Sequence, residues 1–153
     1  MARAKIAIAR TNSDSVDFQK LVQLLDAELA QRDGELNDFY HQFNGIEALR
    51  QVLILYSDKE AVACGAFKLR DGHSAEIKRM YVKEDYRKQG LASKLLYELE
   101  DWGREMNLKT LVLETGINQP EAMSLYEKSG FKRIPNYPPY VGVESSFCFE
   151  KVL

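Results

Sequence analysis

The stretch RKQGLAS, Arg87 to Ser93, puts two cations, a glycine and two small residues directly before a helix. Leu91, Leu95, Leu96, Leu99, Trp102 and Met106 recur at helical spacing, so the helix starts near Gly90. The first amides of a helix have no acceptor inside it, and the helix dipole concentrates positive charge there. A helix start of this kind binds anions. Gly90 removes a side chain where a phosphate would approach the backbone, and Ala92 and Ser93 keep the next positions small. Arg87 and Lys88 add full charge. The stretch suits a pyrophosphate-like group, although RxxGxA alone is equally compatible with a solvated turn. A P-loop needs lysine and Ser/Thr right after its second glycine, and a dinucleotide fingerprint needs GxGxxG; both patterns are absent.

Other reactive side chains carry less. Cys64 and Cys148 lie in the apolar runs AVACGAF and SFCFEKVL and read as small buried hydrophobes. No cysteine or histidine spacing suits a metal, so none is expected, and the two cysteines favour a reducing, cytoplasmic setting. His73 sits in a turn and reads as inert. The net charge of −2 gives no basic field for nucleic acid. No run approaches the roughly 18 apolar residues of a membrane span, and the amino terminus lacks an apolar signal core.

These residues need elements to hold them. KIAIA reads as a first strand. Phe18, Leu21, Val22, Leu25 and Leu29 mark a helix, capped by Asp14 or Ser15 and ended by Gly34. The segment from Glu35 to Gln51 reads as a loop with a short helix. QVLILYS, AVACGAFKL and HSAEIKRMYV form an antiparallel meander. The Gly90 helix follows, then KTLVLET as an interior strand. QPEAMSLYEKSG is a second helix, with Pro120 in its first turn and Gly130 past its end. FKRI and SFCFEKVL close the chain. In AEIKRMYV the apolar Ile77 and Met80 are three apart, which strict alternation cannot place on one face; a bulge would. With 153 residues and neither linker nor repeat, residues 1–153 read as one mixed α/β domain with a single strand–helix–strand crossover.

The pattern V-x-x-x-x-R-x-x-G-x-A, Val82 to Ala92, resembles the acyl-CoA-binding motif of the GNAT N-acetyltransferase superfamily. LETGINQPEAMSLYEKSGF, Leu113 to Phe131, resembles that superfamily's next motif, with Asn118, Ala122, Leu125, Tyr126, Gly130 and Phe131 at matching places. The specific resemblance covers roughly Ala75 to Phe131. It implies a mostly antiparallel twisted sheet with a splayed pair of strands and flanking helices.

The resemblance also implies roles. Arg87, Lys88, Gln89, Gly90, Leu91, Ala92 and Ser93 would hold the coenzyme A pyrophosphate through backbone amides. Met80, Tyr81 and Val82 would pair with the pantetheine arm, which Asn118 would also contact. Tyr126 would face the thiol sulfur as acid or hydrogen-bond donor, with simple packing as the alternative. Glu76 is the first candidate base and Glu114, at a strand end, the rival. Acetyl-CoA is the implied donor, attacked directly by a primary amine in a ternary complex. The acceptor would sit between RDGELNDFYHQFN, offering Asp33, Glu35, Asp38, Tyr40, His41 and Asn44, and PNYPPYVGVESS, offering Tyr137, Tyr140 and Glu144. Acid with aromatic suits a cationic small molecule. A protein amino terminus or lysine is the alternative acceptor, and a non-catalytic acyl-CoA sensor the alternative function. The closing strands allow a homodimer.

Overall fold

The computed structural model describes residues 3–41 and 48–153. Within these residues seven strands form one sheet: β1 (Ile6–Thr11), β2 (Gln51–Ser57), β3 (Glu60–Leu69), β4 (Ser74–Val82), β5 (Thr110–Gly116), β6 (Lys132–Ile134) and β7 (Ser146–Val152). Their spatial order is β1-β2-β3-β4-β5-β7-β6. Only the β4–β5 pair is parallel. Among the described residues four α-helices accompany them: α1 (Val16–Asp33), α2 (Asn37–His41), α3 (Leu91–Glu105) and α4 (Pro120–Lys128). The mixed α/β sheet with flanking helices agrees with the expected fold class.

The amphipathic patterns explain how the layers close. Leu91, Leu95, Leu96 and Leu99 of α3 bury against Leu53, Phe67 and Leu111 on one face of the sheet. Phe18 and Leu21 of α1 bury against Val52, Ile54, Cys64 and Ala66 on the other. Full burial of such side chains contributes roughly 1.5–3 kcal/mol each. Ser15 caps α1 by accepting from the Phe18 amide at 3.2 Å, and Gly34 closes it with φ +52°. Pro120 opens α4, and Gly130 follows it with φ +93°.

Two irregularities shape what lies between the layers. The β4–β5 pairing runs only from Ser74↔Thr110 to Glu76↔Val112. Beyond Glu76, β4 continues to Val82 on β3 alone, and β5 continues to Gly116 on β7 alone. The sheet is therefore split. The second is the bulge. Cys64 pairs with Tyr81 and Ala66 with Lys78, so β4 carries one extra residue, and Arg79 takes φ +60°. The bulge places Ile77 and Met80 against the same core. Gly65 lies opposite, where a Cβ would stand 2.4 Å from the Met80 sulfur.

Candidate active site

The split opens into two adjoining cavities. One, of about 710 Å³, runs along Met80, Tyr81 and Val82 to the turn at Arg87, Lys88 and Gly90 and the α3 start at Leu91, Ala92 and Ser93. Gly90 has φ +77°, and an added Cβ there would meet nothing within 4 Å. No side chain caps α3 and no acidic residue stands in its first turn. The first intrahelical bond comes from the Lys94 amide to the Gly90 carbonyl. The preceding amides are therefore left to other acceptors, and the turn fits an anionic group. Arg87 contributes differently from expectation. Its Nε donates to the Val82 carbonyl at 2.9 Å and its guanidinium pairs with Glu28 of α1 at 2.6 Å. The side chain thus braces the turn against the strand and helix. Lys88 and Gln89 are exposed, and Lys88 has φ +65°.

The other cavity, of about 110 Å³, lies between β4 and β5 near the base of the split. Asp33, Tyr40, Glu76, Lys78, Glu114, Thr115 and Tyr140 are among its walls. Leu25, Met80, Gln119 and Tyr126 line both cavities. Tyr126 is buried, stacked edge-on against Phe131 with ring centres 5.8 Å apart. Burial, and secondarily the Glu114 charge, raises its hydroxyl well above the ordinary tyrosine range. The hydroxyl therefore stays protonated near neutral pH and has a proton to donate in a hydrogen bond.

The two carboxylates differ in their surroundings. Glu76 is the last paired residue of β4 before the split. It accepts from the Tyr137 hydroxyl at 2.7 Å, and Lys78 Nζ lies 3.8 Å away. The Arg70 guanidinium covers the Tyr137 ring at 4.7 Å, so Glu76 is firmly held. Glu114 projects from β5, where alternation puts it on the same face as Val112, the partner of Glu76. Its carboxyl is raised to about 7, first by burial and then by the charges of Glu76 and Asp33, against a hydrogen bond from Ser146. Its Oε2 is buried without a partner.

Several expected residues stand elsewhere. Asn118 does not line the large cleft; its amide bonds to Asp33 at the end of α1. Gln119, the residue before Pro120, lines both cavities instead. Its only sequence signal is its place ahead of a helix-opening proline. Of the acidic acceptor candidates, Asp33 lines the small cavity, whereas Glu35, Asp38 and Glu144 are exposed and do not. Tyr40 and Tyr140 line it, and Tyr137 reaches it through Glu76. Asn44 and the side chain of His41 lie outside the described residues. Cys64 and Cys148 are buried, and burial pushes the Cys64 thiol up to about 12, which makes it a poor nucleophile. Among the described residues no cluster of His, Cys, Asp and Glu could hold a metal ion, and no helix is long and apolar enough to cross a membrane.

Known proteins share this arrangement. The acetyltransferase (GNAT) family profile matches residues 18–131. An IAA acetyltransferase of Azospirillum brasilense is 37% identical over 93 residues, 60% of this chain and 61% of that protein. The match thus spans about three fifths of that relative's length. A Klebsiella pneumoniae structure assigned as an acyl-CoA N-acyltransferase is 33% identical, with a TM-score of 0.81 over 97% of both chains. PaiA N-acetyltransferase of Thermoplasma acidophilum, solved with coenzyme A, shares the fold at 19% identity, with a TM-score of 0.74 over 97% of this chain and 99% of that one. The split sheet, the bulged β4 and the glycine-led α3 are thus set within a sequence that belongs to the acetyltransferase (GNAT) family.

Proposed function

We propose that the protein transfers an acetyl group from acetyl-CoA to a primary amine by direct attack. The observation that carries this reading is the meeting of two cavities at Tyr126 and Met80, with an anion-compatible helix start at one end and a carboxylate raised to about 7 at the other. The acyl donor supplies a thioester carbonyl where the cavities meet. Backbone amides at Leu91, Ala92 and Ser93 hold its pyrophosphate. The free edge of β4 at Met80, Tyr81 and Val82 satisfies its amides. The narrow end takes the amine.

Attack needs a neutral amine, and Glu114 is the group suited to accept the proton. A base titrating near 7 is half available at neutral pH, and its unpartnered Oε2 offers the acceptor site. Glu76, the expected base, is held by Tyr137 and Lys78 and instead supplies fixed negative charge to the cavity. Tyr126 serves the departing sulfur by donating a hydrogen bond. Its raised pKa makes full proton transfer to a thiolate, whose ordinary value is near 8.5, uphill. Buried Cys64 and Cys148 offer no covalent route.

The reading is tested by thiol release from acetyl-CoA with a panel of amines. Turnover on an amine, with kcat lowered about 10–100-fold in Tyr126→Phe and CoA affinity unchanged, is the expected result. CoA binding without turnover on any amine would favour a non-catalytic sensing module.

A further inference from the structure

Among the described residues, the small cavity is lined by more carboxylates than cations. Three carboxylates line it: Asp33, Glu76 and Glu114. Lys78 is 3.8 Å from Glu76, and the other lining cation, Arg79, pairs with Asp26 at 2.6 Å. Arg32, adjacent to Asp33, pairs with Glu121 at 2.9 Å and Glu28 at 3.8 Å. Asp33 is only 7% exposed, and among the described residues it makes no ion pair; its hydrogen-bond partner is the neutral amide of Asn118. Glu114 likewise has none, and its Oε2 is an orphan. Thr115, 4% exposed and also in the wall, has an Oγ1 without a partner. Buried polar atoms left this way point to an occupant that completes them.

The chemistry of the transfer then constrains that occupant. The attacking nitrogen must be neutral, so it cannot answer a carboxylate in the reactive complex. Glu114 takes the proton from that nitrogen. Asp33 still lines the cavity with only the Asn118 amide and the more distant charge of Arg32 to answer it, and a buried carboxylate without an ion pair is costly. We propose, on the acyl-transfer reading, that the acceptor is a short aliphatic diamine whose distal ammonium is held by Asp33 while its reacting nitrogen lies at Glu114. The geometry sets the length. Asp33 Oδ1 stands over Gly116, 3.9 Å from where a Cβ would be. Gly116 and Glu114 are two residues apart on one face of β5, about 7 Å along a strand. A chain of three to five methylenes bridges that span. The cavity of about 110 Å³ lies below the roughly 300–1,000 Å³ of sites for drug-sized ligands, which suits a thin, short molecule. A carboxylate on the acceptor would face Glu76 and Asp33 and be repelled, so α-amino acids are disfavoured.

The step balances simply. The amine nitrogen forms the new bond to the acyl carbon as the carbon–sulfur bond breaks. The amine's proton goes to Glu114, and the electron pair leaves with sulfur, hydrogen-bonded by Tyr126.

The test compares kcat/KM for 1,4-diaminobutane, 1-aminobutane, ornithine and a lysine-containing peptide with acetyl-CoA. The diamine should exceed each of the others by tenfold or more. Asp33→Asn should erase at least tenfold of the diamine's advantage over 1-aminobutane, mainly through KM, and leave the KM for acetyl-CoA within twofold. A merely structural role for Asp33 would lower both amines equally. Equal rates for mono- and diamine, or preference for ornithine or the peptide, overturn the proposal while leaving acyl transfer intact. The wild-type comparison decides even where the variant fails to fold. Calorimetry of the CoA-saturated protein separates the other failure: diamine binding without thiol release overturns acyl transfer and keeps the cavity's preference. Absence of both binding and turnover overturns both.

Discussion

At the scale of single residues, Glu114 has the most testable consequences. Its carboxyl titrates near 4.5 in an unfolded chain and about 7 in the fold, because burial and the neighbouring charges of Glu76 and Asp33 disfavour the anion. A group raised in this way binds its proton more tightly when folded. Its contribution to stability is therefore fully present below pH 4.5 and is lost as pH rises toward 7. Glutamine does not titrate. Glu114→Gln should gain stability relative to the wild type with rising pH, the gain fading toward pH 4.5 and levelling above 7, on the order of 3 kcal/mol. Urea unfolding at pH 5 and pH 8 measures it. An equal effect at both would show that Glu114 is not shifted. The same variant should lose the rise of kcat/KM through pH 7 that a base of this strength imposes. Glu76→Gln should retain that rise, displaced to lower pH, because it removes a negative neighbour.

At the scale of elements, the bulge in β4 governs how the site is assembled. The extra residue lets β4 turn Met80 toward the core and both cavities, and Arg79 absorbs the change with φ +60°. The opposing strand must yield space for that side chain, which explains a glycine inside the apolar run of β3. Gly65→Ala would put a methyl 2.4 Å from the Met80 sulfur, and the thioether must move. Overpacking of this kind costs about 1–3 kcal/mol. Because Met80 stands where the cavities meet, the KM for the acyl donor should rise more than the loss in stability would suggest. Thermal unfolding and donor titration on one preparation test this; an unchanged KM with a lowered Tm would confine Gly65 to packing.

At the scale of the whole molecule, α1 is tied to the site by charge. Asp26 pairs with Arg79 in the bulge and Glu28 with Arg87 in the turn, each at 2.6 Å, and Arg32 reaches Glu121 on α4 at 2.9 Å. These pairs differ in worth. The Arg79 side chain is only 10% exposed, so losing the Asp26 carboxylate weakens a charge-assisted hydrogen bond to a largely buried cation. Arg10 and Glu105 also pair, but both are well exposed, and solvent screens such a pair so that it contributes little. Asp26→Asn should therefore destabilise by roughly 1–3 kcal/mol and Glu105→Gln by clearly less, as read from urea midpoints. Comparable small effects for both would mean that α1 is held by its apolar face alone.

What the sequence determined was local. The leucine spacing from Leu91 to Leu99 dictates an amphipathic helix, Gly90 fits the positive φ that opens it, and Ser15, Gly34 and Pro120 mark helix ends through bonds made within a few residues. The offset between Ile77 and Met80 already required a bulge, since alternation in a strand is a property of the chain itself. The motifs around Arg87 and Tyr126 pointed to the family for the same reason: each is one continuous stretch. What only the tertiary structure decided depends on partners far along the chain. Glu76 and Glu114 look alike in sequence, yet Tyr137 and Lys78 hold one while the other is buried with an empty oxygen. Arg87 reads as a free cation until Glu28, 59 residues away, takes it. Asp33 reads as one acid among several in a polar loop until the fold sets it over Gly116 and leaves Glu35, Asp38 and Glu144 in solvent. Proton affinity and charge pairing follow from burial and from what stands opposite in space, and neither is a property of the neighbouring residues in the chain.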